Sequence, residues 1–376
     1  MQINVYPKAS NQISAYFFFF LIYSNQVGVG VLGFQRIIVK EAGYDAWISV
    51  LLGGLAAHFV LWLIGRTLQR YPSSDLYGIN CDVFGQRIGH LLNYVYMLYF
   101  VMVTVMIVRS YIEVLQTWMF NEMATWIVSA VVLGLALYTI LGGIRVITGY
   151  TFITFLMTVW LICFLYFPFQ HARWSYLYPM ANTTIPELLE GARRMSVSLI
   201  GFEIFYLLYP FAKNKKKIGF YSQFGMMLTN FLYLLLIVLA LTFFSARQLE
   251  KTTWATLTLQ QMVHLPFVER FEMIIVSIWL LVIMPNIMLF TWSVARGFKR
   301  MHQWSHLKST LIVLLVIFIG TLPLISREQV YAYTSLTSQV GFIASFVYPI
   351  FLYLCVVIKD AFRKRGTEEV PHDTGE

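Results

Sequence analysis

Three ionisable residues, Arg109, Glu113 and Glu203, stand inside apolar runs of about 20 residues, a length that crosses a bilayer as a helix. At membrane depth a charged group costs about 2.5–3.5 kcal/mol on insertion scales, so it is expected to face a cavity or a partner. Glu203 directly follows Gly201-Phe202. Its carboxyl could meet a ligand ammonium, bind a proton, or tie a non-helical backbone in place. Arg109 and Glu113 are four apart, hence on one helical face. That spacing suits an ion pair that holds a helix in register or acts as a gate.

Glycines mark where the backbone can break. Gly28-Val29-Gly30, with Gly33 close behind, lies inside the first apolar run, and Gly201 lies inside the sixth. Glycine weakens a helix and lets another group approach the backbone. In secondary transporters, paired breaks in corresponding spans mark a midplane site, where half-helix ends offer N–H groups to anions and carbonyls to cations. The competing reading is close helix packing, a common use of glycine in membranes. Pro285-Asn286 interrupts a later run; proline frees a carbonyl and kinks a helix, and Asn286 could hydrogen-bond nearby. A packing kink and a site fit equally well there.

Bond-making chemistry has no support. The chain lacks a Walker motif, a GxGxxG unit, HExxH and clustered Cys/His ligands. His302 and His306 have metal-compatible spacing but sit in a basic loop. Cys81, Cys163 and Cys355 form no CxxC. No catalytic residue, metal or cofactor is expected, and the chain is not expected to be an enzyme. The available polar groups suit binding.

The elements that position these residues must be membrane helices. Of 376 residues, 59% are hydrophobic and only 12% charged, about half the charge of an average soluble protein. Too few charges remain to cover a water-facing surface. Ten apolar runs are expected to span, at roughly 12–34, 44–65, 90–119, 124–141, 146–169, 193–212, 218–245, 270–297, 307–324 and 331–358. They are too long and continuous for barrel strands. The net charge of +9 fits cytoplasmic loops better than nucleic acid. With the N-terminus inside, the inside segments hold most of the Lys and Arg, including the Lys213, Lys215, Lys216 and Lys217 group, so both termini are expected to be cytoplasmic. Two long outside stretches, about 170–192 and 246–269, carry helix-like pattern at Ile185–Leu189 and Trp254–Val263. They read as interfacial helices over the outer mouth, or as ordinary loops. Residues 1–360 form one expected ten-helix domain, and 361–376 a flexible cytoplasmic tail.

With these features in order, the chain resembles the B subunit of bacterial spore germinant receptors, the spore permease family, which belongs with the amino acid–polyamine–organocation transporters. Gly28-Val29-Gly30, Tyr71-Pro72-Ser73, Arg109 and Glu113, Gly201-Phe202-Glu203 and Glu269-Arg270-Phe271-Glu272 carry the resemblance, which covers essentially the whole chain. It implies an all-α, LeuT-like five-plus-five inverted repeat, about 12–169 and 193–358, with helices 1 and 6 unwound at the centre. It implies a small-nutrient pocket of Gly28, Val29, Gly30, Val103, Leu199, Gly201, Phe202, Pro285 and Asn286, with Glu203 beside it. It also implies A-type and C-type partner subunits in the spore inner membrane.

Three functions share this architecture. The first is a receptor subunit that binds a germinant at the midplane; the resemblance favours it. The second is a proton-coupled amino acid transporter working through Glu203, and the third an ion or water conduit. The expected pocket residues, mostly glycine, aliphatic and aromatic, suit a small amphipathic solute such as alanine, valine or leucine, with sugars and nucleosides still open.

Overall fold

The computed structural model describes residues 2–178, 182–264, 266 and 269–368, and these are helical throughout apart from loops and two isolated β-bridges. The helices are α1 (Phe17–Gln26), α2 (Phe34–Ala42), α3 (Ala46–Arg70), α4 (Leu76–Trp118), α5 (Thr125–Leu141), α6 (Ile144–Thr158) and α7 (Ile185–Ser198). Then come α8 (Phe202–Phe211), whose turns are partly tighter than α-helical, α9 (Lys215–Phe243), α10 (Ala246–Lys251), α11 (Ala255–Gln260), α12 (Phe271–His302), α13 (His306–Thr321), α14 (Arg327–Phe342) and α15 (Tyr348–Glu368). A single π-helical stretch, Ile343–Val347, joins the last two.

Six helical stretches among the described residues are long and apolar enough to cross a membrane. Thr125–Leu141, Phe202–Phe211 and His306–Thr321 are shorter apolar helices; at 1.5 Å per residue, 17 residues cover about 25 Å, somewhat less than a hydrocarbon core. The outer surface carries large apolar side chains such as Leu55, Phe59, Leu91, Leu98, Leu135 and Ile153, all more than one third exposed. Such a belt is stable only against lipid. The chain is an integral membrane protein.

Packing follows an internal symmetry. The half-helix α1 lies on α9, and its counterpart α7 lies on α3; α4 runs along α12. α5 packs on α13. Each pair joins an element of the first half to its equivalent, or its equivalent's neighbour, in the second.

Of three sequence expectations outside the spans, two differ in detail. Ile185–Leu189 is no separate interfacial helix: it opens α7, which Thr184 and Glu187 start with a capping box, and α7 runs straight to the second break. The 246–269 stretch does form two short helices, α10 and α11. The tail expected from residue 361 is helical as far as Glu368; residues 369–376 lie outside those described.

Candidate functional site

The helices are broken where the glycines predicted. α1 ends at Gln26, a short tight turn spans Val29–Leu32, and α2 begins at Phe34. In the second half α7 ends at Ser198, and Gly201 adopts φ +118°, a conformation open to glycine but strained for other residues. A Cβ on Gly201 would sit 2.1 Å from the Asn25 carbonyl oxygen. The two unwound segments therefore touch, and glycine is required at that contact.

Unwinding leaves buried carbonyls that need donors. Side chains supply them. The Asn25 amide nitrogen donates to Gly201 O (2.7 Å) and the Gln26 amide nitrogen to Leu199 O (2.9 Å). From α12, the Asn286 amide donates to both Ser24 O (3.0 Å) and Asn25 O (2.7 Å). The Tyr233 hydroxyl donates to Ser198 O at 2.8 Å, the Trp279 indole N–H to Gly28 O at 3.3 Å, and the Thr256 hydroxyl to Val31 O at 2.7 Å. Pro285 sits within α12, which continues through it, so the proline does not end the helix.

Glu203 is fully buried, and both its oxygens are engaged. One accepts from the Tyr99 hydroxyl at 2.7 Å and the other from the Gly201 N–H at 2.8 Å. Tyr99 also contacts the Ser345 hydroxyl (2.9 Å), inside the π-helical stretch. Of the three roles open to this carboxyl, the geometry realises the tie: it joins the second break to α4 and, through Tyr99, to the last span.

Between the breaks lies a cavity of about 410 Å³, within the usual range for small-molecule sites. Of the residues expected at the pocket, Gly28, Val29, Gly30, Val103 and Asn286 line it, together with Asn25, Gln26 and Phe290. Leu199, Gly201, Phe202, Glu203 and Pro285 do not. Leu199 and Gly201 contribute backbone behind the wall, while Phe202 packs edge-on against Phe346 at 5.4 Å. The rim is charged, with Arg36, Lys40, Glu41, Glu113, Arg194 and Arg327 around it.

The expected Arg109–Glu113 pair does not close. Glu113 pairs instead with Arg327 at 3.3 Å, and Arg327 reaches Thr253 at 2.8 Å. Arg109 donates to the carbonyls of Leu324 (2.5 Å) and Ile325 (3.2 Å), just beyond the end of α13. Loop carbonyls outside a helix need donors, and those of the α13–α14 loop, more than 200 residues away in sequence, take the guanidinium in place of a local i,i+4 contact. Among the described residues, no group of three or more His, Cys, Asp or Glu side chains could hold a metal.

Comparison with known proteins adds to this geometry. A family model described as spore germination protein matches residues 12–330. Spore germination protein GerQB of Bacillus cereus is 36% identical over 94% of this chain and 98% of its own length. Spore germination protein YndE of Bacillus subtilis (strain 168) is 25% identical over 92% and 95% of the two chains. Among solved structures, a substrate-bound, outward-open Na⁺-coupled sialic acid symporter superposes with a TM-score of 0.65 at 12% identity, covering 90% of this chain and 79% of that one. Mhp1, a nucleobase-cation-symport-1 family transporter in a closed conformation, gives 0.63 at 8% identity over 95% of both chains. At such identities the structures speak for the fold alone: it is the LeuT-like transporter fold.

Proposed function

The chain belongs to the spore permease family of spore germination proteins, and from that premise we propose that it is the nutrient-sensing subunit of a germinant receptor. A small germinant, an amino acid foremost, binds in the cavity between the two breaks. Its binding energy shifts a conformational equilibrium that partner subunits of A and C type read in the spore inner membrane. The chain crosses ten times with both termini in the cytoplasm, and residues 1–360 act as one domain. Membership of this family also means that it is not an enzyme.

One observation carries the reading: a preformed cavity of about 410 Å³ whose floor is unwound backbone of the first span. Gly28, Val29, Gly30, Val103 and Asn286 would contact the ligand. Leu199, Gly201, Phe202 and Pro285 would shape the wall from behind. Glu203, fixed to Tyr99 and Gly201, would transmit the position of the second break to α4 and the last span. Glu113 with Arg327 would gate the rim, and Arg109 would hold the end of α13 beside it.

A second reading shares every element: a proton-coupled transporter of amino acids, or an ion or water conduit. The fold is that of working symporters, so the alternative deserves a direct test. Purified protein in liposomes is loaded with labelled L-alanine, L-valine or L-leucine under an imposed proton gradient. Saturable binding without accumulation supports the receptor. Accumulation that collapses with the gradient supports the transporter.

A further inference from the structure

Where α3 finishes and α9 begins, the surface carries cations that the chain does not balance. α9 opens on Lys215-Lys216-Lys217, with Lys213 just before it and no acidic residue in its first turn. A helix N-terminus is partly positive and favours anions, so three lysines there stand against the helix's own dipole. Lys215 is held by the Pro72 carbonyl at 2.5 Å. Lys213, Lys216 and Lys217 are exposed and make no hydrogen bond or ion pair among the described residues. Arg66, near the end of α3, has no carboxylate partner there either; its guanidinium lies 5.0 Å over the exposed Trp62 ring.

Hydrogen bonds fix how the two helices meet. His58 pairs with Gln223 at 2.5 Å, and the Asn230 amide nitrogen donates to Gly54 O at 3.2 Å, so α3 and α9 run antiparallel. Continuing that register puts Arg66 level with Lys216 and Trp62 level with Phe220. On each helix an exposed stripe follows one residue after the seam positions: Leu55 and Phe59 after Gly54 and His58, Phe224 and Phe231 after Gln223 and Asn230. One residue is a turn of about 100°. In an antiparallel pair these two turns lead to the same side of the seam, so both stripes face one stretch of lipid. There Phe59 stacks with Trp62 at 6.1 Å and Phe220 with Phe224 at 6.2 Å, and Phe220 is 70% exposed. A Cβ on Gly219 would meet nothing within 4 Å, so the seam is open where the rings give way to the cations.

We propose that this end of the α3–α9 seam is a binding site for an anionic phospholipid, its phosphate ester seated on Lys216, Lys217 and Arg66 and an acyl chain lying against Trp62 and Phe220. Basic clusters beside a span attract anionic headgroups, and aromatic rings below them offer the chain its apolar contact. A zwitterionic headgroup brings a cation of its own to the same set and is disfavoured. An acidic protein segment matches the lysines but offers nothing to the stacked rings. The site is separate from the cavity between the breaks, since none of these residues lines it.

The test is native mass spectrometry of the full-length protein in detergent micelles, titrated with phosphatidylglycerol or with phosphatidylcholine of the same acyl chains. The wild-type protein is expected to bind phosphatidylglycerol saturably and about tenfold or more tighter than phosphatidylcholine. Glycerol 3-phosphate or inorganic phosphate at millimolar concentration should leave that binding unchanged. Lys216→Gln with Lys217→Gln should weaken it about tenfold or more, whereas the charge-matched pair Lys299→Gln with Lys308→Gln, away from the seam, should change it less than twofold. Equal affinity for the two lipids overturns the proposal, as does an equal loss in both double variants, which would make the attraction diffuse. Displacement of the lipid by the soluble phosphates overturns it in favour of a free phosphate. The wild-type titrations decide even if a variant fails to insert.

Discussion

The two ends of the molecule are built differently. At one, the cavity opens to a rim of charged side chains, where Glu113 pairs with Arg327 and Arg194 with Glu41 at 3.1 Å. At the other, side chains and main chain lock together. Asp75, fully buried, caps the start of α4 through the Gly78 N–H and pairs with Arg296 (3.1 Å) and Arg300 from the end of α12. Arg300 also donates to the Gln2 and Ile3 carbonyls, and the Val5 N–H donates to Ser73 O at 2.6 Å. Below the second break, the Arg296 guanidinium lies 4.5 Å over the Phe211 ring. The contrast is one of construction: the cavity mouth is open at the rim, and the N-terminal face is latched.

The comparison can be broken from the latched end first. Asp75→Ala leaves Arg296 and Arg300 buried without their anion, which costs on the order of 3–5 kcal/mol. The expected outcome is the largest fall in thermal midpoint of any change considered, with new labelling of a cysteine placed near Ser73; an unchanged midpoint would remove the latch. Gly201→Ala comes next. Its Cβ meets the Asn25 carbonyl at 2.1 Å and its φ is +118°, so strain of about 1–3 kcal/mol or more is expected, together with loss of ligand binding. Gly30→Ala is the control: its Cβ would meet Ser198 at 3.5 Å, an ordinary contact, and its midpoint should match wild type.

Smaller effects sharpen the picture. Tyr99→Phe leaves one Glu203 oxygen without its donor, and about 1–3 kcal/mol of stability should be lost; ligand response should shift even where the cavity wall is intact. The smallest effect lies at the membrane surface, where Asp82 pairs with Lys359 at 2.6 Å. Burial raises the Asp82 carboxyl, but hydrogen bonds from Lys359 and Tyr71 outweigh it and hold the group below its usual range. Its folded value is depressed, so its contribution is present above the ordinary aspartate value of about 3.9 and lost as pH falls through the lowered one. For a partly exposed pair this is about 0–1 kcal/mol. Asp82→Asn should remove that acid-side slope from the thermal midpoint and little else.

The breaks were legible because glycine inside an apolar run is a local signal, and Gly28, Gly30 and Gly201 carry it without help from neighbours. The partners of the breaks were not. Asn25-Gln26, two amides directly before the first break, offered a signal that went unread, since their targets Gly201 and Leu199 lie more than 170 residues away. Tyr99 has no local signal, and only the fold places it against Glu203. Arg109 shows the reverse error: its helical neighbour Glu113 is visible in the sequence, whereas the carbonyls it serves belong to the α13–α14 loop, which only tertiary structure brings near. The segment from Ile185 reads as an interfacial helix because its first turns are polar; only its packing on α2 and α3 identifies it as half of a broken span.

The central claim is that the cavity between the breaks is where the germinant acts. Gly30 lines that cavity, and a Cβ on it would meet Ser198 at an ordinary 3.5 Å, so a larger side chain there takes up space at the cavity wall. The most direct measurement compares germination of spores carrying Gly30→Leu with wild type across a nutrient panel, with the membrane level of both proteins quantified by immunoblot. The prediction is a lost response at an unchanged protein level. A normal response from a normally inserted Gly30→Leu protein would contradict the account.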